Sequence, residues 1–105
     1  MIKVLITDDS AFMRMRIRSL LETDPNIKVV GVARNGMEAV EKVHALHPDI
    51  VTMDIVMPQM SGIEAVERIM ATRPTPIILI SSLTGQEVEL TLRALENGAI
   101  DYVSK

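Results

Sequence analysis

Ile77-Ile78-Leu79-Ile80-Ser81-Ser82 is apolar at four successive positions and then turns polar. A strand with one wet face alternates apolar and polar residues. An unbroken apolar run of this length therefore marks a strand buried on both sides, the usual condition in a parallel sheet flanked by helices. Working outward, Pro76 to Ser81 is one of five strand candidates, with Lys3 to Thr7, Lys28 to Ala33, Ile50 to Asp54 and Ile100 to Ser104. The stretches between them carry helical period. Met13, Ile17, Leu20 and Leu21 fall at i, i+4, i+7 and i+8, and Val88, Leu92, Leu95 and Ala99 form a second stripe; both are expected to pack on the sheet. Asp24-Pro25-Asn26, His47-Pro48-Asp49, Arg73-Pro74-Thr75-Pro76 and Asn97-Gly98 close the four helices. This alternation predicts an α/β domain with a doubly wound parallel sheet in the order 2-1-3-4-5.

The chain has 105 residues, 48% of them hydrophobic, which suits one folded domain spanning residues 1–105 and excludes a disordered segment. It has no cysteine, which excludes a disulfide framework and any thiolate-ligated zinc or iron-sulfur site. Lys+Arg 11 against Asp+Glu 14 gives a net charge of -3, and with one Phe, one Tyr and no Trp the chain lacks the basic, ring-bearing surface of a nucleic-acid binder. No apolar run approaches the roughly 20 residues of a membrane span. The start Met1-Ile2-Lys3-Val4-Leu5-Ile6 meets Asp8-Asp9 too early for a signal peptide, so the expected location is the cytoplasm, without membrane contact.

Asn35-x-x-Glu38, Ser61-x-x-Glu64 and Thr84-x-x-Glu87 resemble capping boxes, and Ser10 is available to cap the first helix. The adjacent pair Asp8-Asp9 is then more acid than capping requires. Ligands of open α/β sheets bind beyond the carboxyl ends of the strands. There the strands carry Asp8-Asp9, Asp54, Ser81-Ser82 and Ser104-Lys105. Two carboxylates about 4 Å apart repel by about 1 kcal/mol in water and about 4 kcal/mol at an effective dielectric of 20, so clustered acids call for a cation. An oxygen-only donor set selects Mg2+ or Mn2+ over zinc and leaves coordination positions for water and a phosphoryl group. Ser81 and Lys105 suit phosphate oxygens. The pattern points to a carboxylate attacking phosphorus in line while cation and lysine neutralise the equatorial oxygens.

These residues resemble those of a response-regulator receiver domain, over the whole chain. Asp8-Asp9-Ser10, Asp54-x-x-Met57-Pro58, Ser61-Gly62, the Ser81 strand end and Gly98-Ala99 with Tyr102-Val103-Ser104-Lys105 fall in that family's order. Asp9-Ser10-Ala11-Phe12-Met13-Arg14, Arg73-Pro74-Thr75-Pro76 and Ser81-Ser82-Leu83-Thr84 are similar to the regulatory domain of the chemotaxis protein-glutamate methylesterases. The resemblance implies a flavodoxin-like, CheY-like fold. It implies that Asp54 accepts phosphate from the phosphohistidine of a sensor kinase of the chemotaxis type, with Mg2+ held by Asp9, Asp54 and the backbone carbonyl of Val56, and Asp8 acting through a metal-bound water. Ser81 and Lys105 would hold phosphoryl oxygens, Tyr102 would be the aromatic switch that turns inward as Ser81 moves, and the partner downstream would be an effector domain of the parent chain.

Two departures stand out: Val56, where the methylesterase group commonly carries an acid, and Ser61, where many receivers carry aspartate. With Val56 and Leu83 offering no polar side chain to align a water, slow self-dephosphorylation is expected. Each residue also has a plainer reading. Asp8 or Asp9 alone could be a cap, Asp54 a turn residue, Ser81 and Ser82 a strand end, and Lys105 a solubilising charge. Arg14, Arg16 and Arg18 read as a solvated face, His44 and His47 as surface, and Met57 and Met60 as packing. A stand-alone or pseudo-receiver interaction module would keep the fold without the chemistry. A flavin binder would use Ser81-Ser82-Leu83-Thr84-Gly85 but lacks stacking rings, and a haloacid-type phosphatase would need an acid at Val56. Finally, the expected topology puts one helix on one face of the sheet and three on the other. A truncation before a last covering helix is therefore expected, and the hydrolase domain of a methylesterase has no counterpart in this chain, which lacks a Gly-x-Ser-x-Gly elbow.

Overall fold

The computed structural model describes residues 1–55, 57, 60–82 and 85–104, with backbone alone at Gln86. In chain order the elements are β1 (Ile2–Thr7), α1 (Ala11–Leu21), β2 (Ile27–Ala33), α2 (Gly36–Leu46), β3 (Ile50–Asp54), α3 (Gly62–Thr72), β4 (Ile77–Ser81), α4 (Gln86–Glu96) and β5 (Asp101–Ser104). All neighbouring strands are parallel, and the sheet order is β2-β1-β3-β4-β5, as the alternating pattern predicts. Opposite β2, the register of β1 shifts between Val4 and Leu5, so that Val29 and Gly31 face consecutive residues and Val30 is the extra one.

The two faces of the sheet are covered unequally. On one side Leu5, Val51, Met53, Ile77 and Leu79 meet Ala39 and Val43 of α2, Ala65, Val66 and Ile69 of α3 and Ala94 of α4 in a continuous core, which Met57 and Met60 join as packing residues. On the other side Val4, Ile6 and Val29 meet the half-buried Ile17 and Leu21 of α1. No residue of α1 is buried, and Leu20 is 64% exposed, so that stripe packs only in part. Beside α1 an open apolar groove is lined by Ile17, Leu20, Leu21, Thr52, Ile78, Ile80 and Val103. Ile78 and Ile80 are accordingly half-buried where the unbroken apolar run predicts burial on both faces.

The helix starts follow their capping residues. Ser10 accepts from the Met13 N–H at 3.2 Å, Asn35 from the Glu38 N–H at 2.9 Å and Ser61 from the Glu64 N–H at 3.3 Å. Two details differ from the capping-box expectation. The Glu38 carboxylate reaches past Asn35 to the Arg34 N–H at 3.0 Å, because the Arg34 guanidinium draws it outward with bonds of 3.0 and 2.7 Å. Helix α4 takes Gly85, at φ 53°, as its N-cap without a side-chain bond, and Thr84 lies outside the described residues. The second stripe also needs correction. Val88 and Leu92 are exposed, while Thr91 and Ala94 are buried and Leu90 and Leu95 pack against the core, so α4 turns a face one residue earlier toward the sheet.

Candidate functional site

Parallel pairing brings the carboxyl ends of β1, β3, β4 and β5 to one edge, with Thr7 opposite Met53, Asp54 opposite Ile80 and Ser81 opposite Ser104. Asp8 and Asp9 follow β1 directly. The Asp8 N–H donates to the Ala33 carbonyl at 3.0 Å, and Asp8 Oδ1 accepts from the Ser10 N–H at 2.9 Å, which fixes the turn into α1. The Arg14 guanidinium donates to the Asp8 carbonyl at 2.8 Å, so Arg14 secures this turn instead of belonging to a purely solvated face.

Asp54 closes β3, and the loop behind it is pinned at several points. The Ile55 N–H donates to the Ile80 carbonyl at 3.3 Å, the Gly62 N–H to the Ile55 carbonyl at 3.0 Å, and the Gly36 N–H to the Met60 carbonyl at 3.2 Å. These bonds tie the end of β3, and with it Asp54, to β4 and to the start of α3. One carboxylate oxygen each from Asp8, Asp9 and Asp54 lies within 4.8 Å of the others; Asp8 and Asp54 are buried and Asp9 is exposed. Like charges about 5 Å apart repel by about 3 kcal/mol at an effective dielectric of 20. The three carboxylates fit a hard divalent cation: the donors are all oxygen, the cluster contains no imidazole, and its one exposed member leaves a path to solvent.

Ser81 is fully buried at the end of β4, and its hydroxyl meets that of Thr91 in α4 at 2.9 Å. The neighbouring Ser82 N–H donates to the Glu87 carboxylate at 3.1 Å, a second tie between this strand end and the first turn of α4. Tyr102 pairs with Leu79, on the same face of the sheet as Ser81, and is 43% exposed. Val56, Leu83 and Lys105 lie outside the described residues. All three acids of the cluster are among the residues expected from the sequence, whereas Thr91 is not, and Glu87, expected in a capping box, bonds the Ser82 N–H instead. Glu87, Thr91 and Ala94 recur at helical spacing, but the apolar Val88 and Leu92 point to a different phase for α4.

The fold is shared with known proteins. The family described as the response regulator receiver domain matches residues 4–105. The chain belongs to the response regulator receiver domain family. Within it, the chain is 60% identical over 104 residues to a protein-glutamate methylesterase/protein-glutamine glutaminase of Carboxydothermus hydrogenoformans, covering 99% of this chain and 29% of that protein. The corresponding protein of Symbiobacterium thermophilum is 53% identical over the same length, again with 29% of it covered. This receiver domain therefore spans less than a third of the curated relatives it matches. Its fold superimposes on the response regulator domain of Thermotoga maritima CheB with a TM-score of 0.93 and 51% identity, over 99% of this chain and 78% of that one. A CheX-CheY-BeF3-Mg2+ complex from Borrelia burgdorferi matches with a TM-score of 0.86 and 33% identity, over 99% of this chain and 78% of that one.

Proposed function

We propose that this chain is the phosphoacceptor domain, residues 1–105, of a longer chemotaxis methylesterase regulator, and that Asp54 is its phosphorylation site. The observation that carries the reading is the convergence of Asp8, Asp9 and Asp54 at one end of the sheet. In the proposed reaction an Asp54 oxygen forms a bond to phosphorus as the phosphorus–nitrogen bond of a kinase phosphohistidine breaks. The departing imidazole keeps the bonding pair and takes up a proton, and Asp54 becomes an acyl phosphate. Asp9 and Asp54 would hold Mg2+, with Mn2+ as a substitute, together with the Val56 carbonyl, while Asp8 would act through a bound water. The cation, when bound, neutralises charge on the acids and on the phosphoryl oxygens.

Ser81 and Lys105 would contact those oxygens, and Tyr102 would respond to the movement of Ser81. The related complex that contains BeF3 and Mg2+ supports this assignment by analogy. A cytoplasmic location and a sensor kinase of the chemotaxis type follow from the same reading. The effector is proposed to be a methylesterase domain of the parent chain, in keeping with the 29% span of the relatives. The groove along Ile78, Ile80 and Val103 suits coverage by a further helix of that parent chain.

Intact-mass measurement after incubation with a small phosphodonor and Mg2+ tests the chemistry. One added phosphoryl group, lost with EDTA and in Asp54→Asn, is the expected result. Absence of labelling in both this chain and the full-length parent would establish a pseudo-receiver that serves only as an interaction module.

A further inference from the structure

Thr91 is 2% exposed and sits one helical turn beyond Glu87 on the face of α4 that meets the sheet. Its hydroxyl has two partners, the Ser81 hydroxyl at 2.9 Å and the Glu87 carbonyl at 2.7 Å. A hydroxyl carries one proton, so Thr91 cannot satisfy both oxygens fully by donation. The arrangement has a directional consequence. If Ser81 moves away, the Thr91 proton still has the nearer Glu87 carbonyl to bond, and no buried donor is orphaned. If Thr91 loses its hydroxyl, Ser81 loses a partner in its present position.

We infer that Thr91 is a positioning residue that holds Ser81 back from the Asp54 site and ties the occupancy of that site to α4. The inference rests on the reading of Ser81 as a phosphoryl contact and adds the group against which Ser81 must move. The Glu87 carboxylate on the Ser82 N–H lies on the same helical face, so movement at residues 81 and 82 acts on the first two turns of α4. Removing the latch raises the free energy of the resting arrangement and leaves the occupied one nearly unchanged, so affinity for a phosphoryl mimic should rise.

The test is Mg2+-dependent binding of beryllofluoride, measured by titration on this chain and on the Thr91→Val, Thr91→Ala, Thr91→Ser, Ser81→Ala and Ser81→Ala/Thr91→Val variants. The loss of one net hydrogen bond predicts about threefold to tenfold tighter binding for Thr91→Val and Thr91→Ala. Thr91→Ser, which keeps the hydroxyl, should stay within about twofold of the parent, and the Thr91→Val effect should vanish in the Ser81→Ala background. Unchanged affinity in both Thr91→Val and Thr91→Ala would overturn the latch, as would a gain of the same size without the Ser81 hydroxyl. If the parent chain binds no beryllofluoride with Mg2+, the phosphoacceptor reading fails and the latch falls with it. Binding by the parent without a Thr91 effect refutes the latch alone.

Discussion

At the scale of single residues, the ionic detail that differs from a conventional helix start has a measurable consequence. Glu38 is held by the Arg34 side chain and by the Arg34 N–H, and these bonds bring its carboxyl down from 4.5 to about 2. A carboxyl depressed on folding contributes stability above its unfolded value and loses it as pH falls through its folded value. The contribution of Glu38 should therefore be whole near neutrality and disappear between about pH 4.5 and pH 2. Glu38→Gln should flatten the stability-against-pH curve in that window, as measured by denaturant midpoints at several pH values. Arg34 is 70% exposed, so added salt should shrink the difference between parent and variant. Among single residues, the acids Asp8, Asp9 and Asp54 were legible because no cap or turn needs so many charges at one edge. Thr91 was not, because its role depends on which face α4 turns inward, and the apolar Val88 and Leu92 on its outer side suggested a different phase.

At the scale of elements, backbone contact between the end of β3 and the start of α3 fixes Asp54. A Cβ at Gly62 would lie 2.6 Å from the Asp54 carbonyl oxygen and 2.9 Å from the Ile55 Cα, and neither of these backbone atoms can rotate away. Gly62→Ala should destabilise the fold by about 1–3 kcal/mol, in the range of overpacking, and reduce phosphoryl transfer by displacing the strand end. Gly31→Ala is the control, since its Cβ would meet side-chain ends and no backbone, the Cδ1 of Leu46 at 2.7 Å and the Cδ1 of Leu5 at 3.6 Å. Denaturant midpoints and labelling yields should separate the two. Strands were legible to within a residue or so at their ends, because each is a short apolar run between strong punctuation. Helix α4 was the exception: its Gly85 cap differs from what the Thr84-x-x-Glu87 pattern suggests, and its inward face from what the Val88 and Leu92 stripe suggests.

At the scale of the whole molecule, the sheet collects like charge from distant parts of the chain. Asp8 and Asp54 are both buried, and Asp9 stands beside them, so the metal-free fold works against their repulsion. A cation that binds only the folded state adds stability in proportion to the logarithm of its concentration once binding is saturated. Thermal melts should show a midpoint several degrees higher with Mg2+ than with EDTA. Asp54→Asn should raise the EDTA midpoint and lose most of the Mg2+ increment; equal increments in parent and variant would remove Asp54 from the cation site. The strand order was legible as a whole because parallel strands and right-handed crossovers leave few arrangements. The depth of each face was less so, since an apolar run reports what a strand could bury and not how much covers it: Ile78 and Ile80 remain half-open.

The strand order also divides labour along the polypeptide. All three carboxylates come from the turn after β1 and the end of β3, within the first 54 residues, whereas Ser81, Thr91 and Tyr102 belong to the half that follows. On the proposed reading, the residues that would hold the cation and those that would respond to it therefore follow one another along the chain, and the sheet alone brings them to a common edge.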